Sequence, residues 1–240
     1  MIKFKIILNL KMKKFYIVVL LVFTSNLFSQ SLTSDVIVQN YITAIGGIDE
    51  IRKINQLTMT GKAVSGENTY DLLAYEDALE KYQFAHVNGD NYDVKTYFDT
   101  KAGWTVQNGV KSSLSQETIQ QLQPNIEDGT YFYLGDMESR GIKTELLGEE
   151  KINGKNAYKI KFTRNGKDKN IQYFDKDTYY LLMVETPGIN SVKIYYDDYK
   201  NVPGTNLKFP YYNEKGGIKG TVDKYEINVP LNPMLLIFDK

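Results

Sequence analysis

Alternation dominates this chain. Between Lys155 and Arg164, the residues Tyr158, Ile160 and Phe162 take turns with Lys159, Lys161 and Thr163. A period of two makes one side of a strand apolar and the other wet, as in a sheet covered on one face. The same rhythm predicts strands at Leu57–Val64, Asn68–Tyr75, Leu79–Val87, Tyr92–Phe98 and Gly103–Val106. It resumes at roughly 142–150, 155–163, 169–175, 178–185, 190–199, 206–213 and 217–228. The pairs Ser65-Gly66, Asn88-Gly89, Asn108-Gly109, Asn153-Gly154 and Asn165-Gly166 punctuate the runs. Asn and Gly tolerate the positive φ that a two-residue primed turn demands, so these are hairpin signals and the spacing is that of a meander. Pro210 cannot donate to a ladder and predicts an edge or a bulge for its strand. A shift of apolar parity between Val222 and Tyr225 predicts a bulge near Asp223-Lys224.

Helical periodicity interrupts the strands. Val38, Tyr41, Ile42 and Ile45 fall at i, i+3, i+4 and i+7, with Thr33 or Ser34 as cap, Asp35 in the first turn and Gly46 as the stop. A short helix follows over Ile48–Ile54. From Ser113 to Gln123, Leu114, Thr118, Ile119 and Leu122 share a face, and Pro124 is expected to end the run. A further short helix is predicted over Ile126–Leu134. About a dozen strands and a few amphipathic helices make one α+β domain. So long a sheet twists and curls, and helices lying across its concave face enclose a cavity.

The first residues carry a different signal. Lys3, Lys5, Lys11, Lys13 and Lys14 precede an apolar run from Phe15 to Phe23, then the polar Ser25, Asn26 and Ser29. This reads as a secretory signal peptide over residues 1–29, with an uncleaved anchor as the alternative and Met12 as a second candidate start. Residues 30–240 form the mature domain, and about 210 residues suffice for one core. The apparent neutrality of the chain is misleading. Five of its 29 basic residues lie in the signal, which contains no acidic residue, so the mature chain sets 24 against 29 acidic ones. Nothing there favours nucleic acid, and no polybasic run addresses anionic headgroups. There is no cysteine, hence no disulfide, no thiol nucleophile and no lipobox to acylate.

Candidate chemistry is sparse. The one histidine, His86, shares a strand face with Tyr82 and Phe84, and no G-x-S-x-G supplies it a nucleophile. Zinc chemistry of the HExxH kind needs two histidines. Asp175-Lys176-Asp177 reads as a turn and Asp197-Asp198 as a strand end, so no catalytic residue, metal or cofactor is expected. What remains is aromatic surface. Tyr158, Ile160, Phe162, Ile171, Tyr173, Leu182, Val192, Ile194, Leu207 and Phe209 are expected to face inward. They are core if helices cover them and a binding lining if helices leave a gap. Tyr82, Phe84 and Trp104 are candidates for the same lining.

The opening YITAIGGIDEIRKINQLTMTGKA, the hairpin GWTVQNG, the pair GEEKINGKNAYKIKFT and YFDKDTYYLLMVE, and the late YYDDYKNVPGTNLKFPYYNE resemble outer-membrane lipoprotein-sorting proteins of the LolA/LolB-like type, particularly their Bacteroidetes versions. The likeness spans about residues 34 to 230. It implies an unclosed half-barrel of antiparallel strands with helices as a lid. It further implies a periplasmic, monomeric, non-enzymatic carrier of lipid or acylated lipoprotein, served by envelope lipoprotein-transport components and not inserted in the membrane once the signal is removed. The tail Val229–Phe238 is expected to pack last or to cover one end of the cavity. The rival readings are an envelope protein-interaction module with a packed interior, and a lipid hydrolase that would depend on His86.

Overall fold

The computed structural model describes residues 32–186 and 191–237. The signal segment therefore lies outside the described residues. Thirteen antiparallel strands form one open sheet: β1 Gln56–Ser65, β2 Asn68–Asp77, β3 Tyr82–Gly89, β4 Tyr92–Asp99, β5 Gly103–Gln107, β6 Val110–Ser113, β7 Ile142–Ile152, β8 Lys155–Arg164, β9 Lys167–Asp175, β10 Leu181–Thr186, β11 Val192–Asn201, β12 Lys208–Lys215 and β13 Ile218–Ile227. Their spatial order is β6-β5-β4-β3-β2-β1-β13-β12-β11-β10-β9-β8-β7. Two consecutive meanders thus meet where the first strand pairs with the last. β6 and β7, adjacent in sequence, lie at opposite edges, and the sheet is an unclosed half-barrel.

The turn signals act as read at Asn108-Gly109, Asn153-Gly154 and Asn165-Gly166, where both residues of each pair have positive φ. Asn88-Gly89 does not turn. Gly89 stays in β3 opposite Tyr92, and the chain reverses through Asp90-Asn91. A side chain at Gly89 would strike the ring of Tyr70, which explains the glycine without a turn. β3 begins at Tyr82, not Leu79, because the Asp77 carboxylate accepts from the N–H groups of Leu79 and Glu80 at 2.9 and 2.8 Å and holds a turn there. The bulge expected near Asp223 is present: Thr60 pairs with Lys224 and Gly61 with Val222, leaving Asp223 as the extra residue. Gly61 permits the approach, since a Cβ there would lie 2.1 Å from the Thr221 carbonyl oxygen.

Pro210 corrects the expectation of an edge. β12 is interior, but its ladder with β13 runs only from Tyr212 to Lys215, so Pro210 sits where no N–H is needed. Its carbonyl accepts from Tyr225 Oη at 2.7 Å.

Among the described residues three α-helices stand on one face. α1, Ser34–Ala44, is capped by Thr33, whose Oγ1 accepts from Val36 N–H at 3.3 Å, and it buries Ile37, Val38, Tyr41 and Ile42. α2 is the single turn Ile48–Ile51. α3, Gln116–Asp128, runs through Pro124 instead of stopping there. Ile119 and Ile126, seven residues apart and both buried, need one continuous helical face. Gly129, at φ 54°, ends the helix, and a 3-10 segment Phe132–Asp136 replaces the second helix expected there. The core lies between this layer and the sheet. Tyr41 meets Phe174 with ring centroids 5.1 Å apart, Tyr131 stacks on Phe209 at 4.0 Å and Tyr133 meets Phe162 edge-on.

Candidate functional site

The link from β6 to β7 must reach from one edge of the sheet to the other, and it crosses the inner face to do so. It carries α3, the turn at Gly129 and the 3-10 segment. Under it lies a cavity of about 640 Å³. Leu181 and Val184 of β10, Tyr196 and Tyr199 of β11, and Gln172 of β9 line the sheet side, while Thr130, Tyr131 and Tyr133 line the crossing link. A second cavity of about 250 Å³ lies toward β1 and β2, lined by Leu57, Met59, Ala74, Glu76 and Ile194. Thr130, Tyr131, Tyr196 and Pro210 border both, so a short strap of chain divides them.

Glu76 anchors the strap. Its carboxylate accepts from Thr130 N–H at 2.8 Å and from Thr130 Oγ1 at 2.7 Å. Burial pushes the Glu76 carboxyl above the ordinary carboxylate range, and the two Thr130 donors only partly offset this. A carboxyl raised on folding favours the folded state most when protonated, so its contribution is full at low pH and is lost as pH rises through the folded value. Glu76→Gln keeps an acceptor for Thr130 and is expected to remove this component. Urea midpoints between pH 4 and 7 would then vary less with pH than in the parent.

The other end of the link is held by charge. Asp128 is buried, with 2% of its side chain exposed. Its carboxylate pairs with Arg164 Nη1 at 3.1 Å, with Lys169 Nζ, and with Arg140 Nη1 at 3.8 Å. Arg164 Nη2 also reaches Glu127 Oε2 at 2.6 Å, and Arg140 donates to the Glu127 carbonyl. A buried carboxylate needs such partners, because desolvation alone costs several kcal/mol. The hydroxyl-bearing wall is different. Burial pushes the phenols of Tyr41, Tyr131 and Tyr199 well above their ordinary value and that of Tyr196 up to about 12. They stay protonated, presenting ring surface and neutral hydroxyls. Tyr199 donates to the Leu181 carbonyl at 3.0 Å, and the Gln172 amide donates to Tyr133 Oη at 3.1 Å. The lining joins aliphatic and ring surface to the charged Asp128, Arg164, Lys167, Asp168 and Lys169. His86 is elsewhere, its Nε2 2.6 Å from Asp93 Oδ1.

The residues read from sequence as lining divide between two faces. Tyr158, Ile160, Phe162 and Phe209, with Leu207, are buried in the main core beneath α1 and the 3-10 segment. Ile194 alone among them borders either of these two cavities. Ile171, Tyr173 and Leu182 do not face inward. Tyr173 and Ile171 pair with Lys159 and Lys161, on the opposite side from Phe174 and Gln172. Together with Ile152, Ala157 and Met183 they form a small outer cluster. Tyr82, Phe84 and Trp104 are also outside: Tyr75 pairs with Phe84, Phe84 with Tyr97 and Tyr97 with Trp104, whereas the alternate residues Ala74 and Glu76 face the cavity. The rings of Tyr75, Tyr82, Tyr97 and Trp104 follow one another at 5.4–5.5 Å. Of the tail, residues 229–237 are described: Leu231 N–H meets the Tyr75 hydroxyl on this face, and none of them lines either cavity, while Phe238 lies outside the described residues. Sequence reading missed Leu181, Val184, Tyr196 and Tyr199. A bulge between Leu181 and Met183 resets the alternation there, and the doublet Tyr195-Tyr196 hides which ring points in.

No protein-family model matches the chain, and no curated protein matches it in sequence. Solved structures do. A DUF1329-family protein from Desulfovibrio piger superposes with a TM-score of 0.51 at 10% identity, over 83% of this chain and 95% of that one. A domain assigned provisionally to outer-membrane lipoprotein sorting, from Vibrio parahaemolyticus, gives 0.49 at 12% identity over 82% and 92%. A LolA-superfamily protein from Nitrosomonas europaea gives 0.49 at 13% identity over 88% and 99%. At such identities the likeness is one of fold.

Proposed function

We propose that this chain is a non-enzymatic periplasmic carrier that holds the acyl part of a lipid or lipoprotein between its sheet and the link that crosses it. One observation carries the reading: a cavity of about 640 Å³, within the range of small-molecule sites, with aliphatic and tyrosine surface on the inner face of an open half-barrel. Each methylene moved there from water contributes about 0.8 kcal/mol, so a chain of modest length is held reversibly with no covalent step. The lipoprotein-sorting resemblance of the sequence supports the same reading, as does the absence of any helix long and apolar enough to cross a membrane among the described residues. The strap at Thr130-Tyr131 is the element whose movement would admit and release the ligand, because it borders both cavities.

Native mass spectrometry with lipid extraction, on the exported chain purified from a periplasm, tests this directly. A stoichiometric acyl adduct that disappears on denaturation is the expected result. A clean mass that stays clean after incubation with lipid and triacylated peptide would overturn it. The same outcome would favour an interaction module, for which the packing of Phe162 and Phe174 beneath α1 already speaks.

A further inference from the structure

The mouth of the larger cavity has a charge opposite to that of the protein. The mature chain carries an acidic excess. Yet among the residues that line this cavity, the acidic Asp128 and Asp168 are outnumbered by Arg164, Lys167 and Lys169. The pairings consume the acids. Asp128 is held by Arg164 and Lys169, Glu127 by Arg164, and Asp168 by Lys161 at 2.8 Å. Lys167, exposed and on the cavity lining, makes no ion pair among the described residues. Beside it Asn165 and Asn170 line the same opening. Deeper in, the wall changes to Leu181, Val184, Tyr196 and Tyr199. The site is thus polarised, with surplus cation at its mouth and apolar surface within.

We propose that the preferred ligand is an amphiphile with an anionic head, a carboxylate or phosphate seated at Lys167 with its aliphatic chain directed toward Val184 and Tyr199. This rests on the carrier reading and names its ligand class. The surplus cation at the mouth gives a charge-assisted hydrogen bond to a head of net negative charge, whereas the choline cation of a zwitterionic head offsets the attraction of its own phosphate. A hydrogen bond to a charged group is worth roughly tenfold in affinity.

The test titrates the full exported chain, delipidated, with three probes: an anionic lysophosphatidic acid, a zwitterionic lysophosphatidylcholine of the same acyl chain, and inorganic phosphate. The anionic lipid is expected to bind about tenfold more tightly than the zwitterionic one, with a steeper loss on raising salt, and phosphate alone is expected not to bind. Lys167→Glu, a change at an exposed position without an ion pair among the described residues, is expected to abolish the preference for the anionic lipid while leaving the unfolding midpoint unchanged. Equal binding of both lipids overturns this inference and leaves the carrier reading standing. Phosphate binding as tight as the anionic lipid would make the mouth a site for the free anion and also overturns it. Binding of none of the three overturns the carrier reading itself.

Discussion

Replacing Phe174 with alanine is expected to cost about 3–5 kcal/mol of folding stability. Phe174 has no exposed surface, meets Tyr41 of α1 at 5.1 Å and Phe162 of β8 at 6.4 Å, and lies in the main core with Ile160. Truncation would leave a void that α1 cannot collapse to fill, because the helix is pinned along its length. Thr33 caps its start, Asp35 accepts from Thr144 of β7, and the Ile45 carbonyl at its end accepts from Lys208 of β12. Domains of this size hold only about 5–15 kcal/mol in all, so the loss would be obvious in urea unfolding. The magnitude decides between packed core and ligand lining. A ring facing an unfilled cavity has few contacts to lose, so a cost under about 1 kcal/mol would return Phe174, with Phe162 and Ile160, to the lining of a binding site.

The second large effect is on binding. Val184 points from β10 into the larger cavity, between Gln172 of β9 and Ile194 of β11. Val184→Trp would place an indole in the space assigned to the acyl chain. Affinity for an acyl ligand is expected to fall by about a hundredfold, equivalent to displacing three or four methylenes at about 0.8 kcal/mol each. Displacement of a fluorescent fatty acid measures this. Because the added ring enters empty space and not the core, the unfolding midpoint should stay within a few degrees of the parent. Undiminished affinity in a folded Val184→Trp protein would move the ligand out of this cavity.

Much of the sheet was legible because local chemistry fixes it. The Asn-Gly pairs at 108–109, 153–154 and 165–166 each close a hairpin with both residues at positive φ, and a slipped parity at Val222–Tyr225 can only be accommodated by an extra residue. The site was less legible, since alternation gives two sides of each strand and does not say which side of one continues which side of the next. That relation is set by register. Tyr173 is as buried as any core residue, yet its pairing with Lys159 puts it on the outer surface, where Ile152, Ala157 and Met183 bury it a second time. The sheet there is covered on both faces, contrary to the one-sided pattern of β8. Pro124 misled for another reason. The propensity cost of proline, about 3 kcal/mol, is a local quantity, and the joint burial of Ile119 and Ile126 outweighs it.

The pairing of the first strand with the last has a kinetic consequence. β1 spends residues 57–64 on residues 219–227, the longest sequence separation in the sheet, while every other ladder joins neighbours along the chain. Two locally assembling meanders must wait for one seam to close between them, and non-local pairing of this kind is slow. During synthesis from the N-terminus, β1 remains an unsatisfied edge until β13, Ile218–Ile227, has emerged. Any helper that guards an exposed strand would therefore have its work concentrated on β1, and a chain truncated before Ile218 would keep both meanders yet never join them.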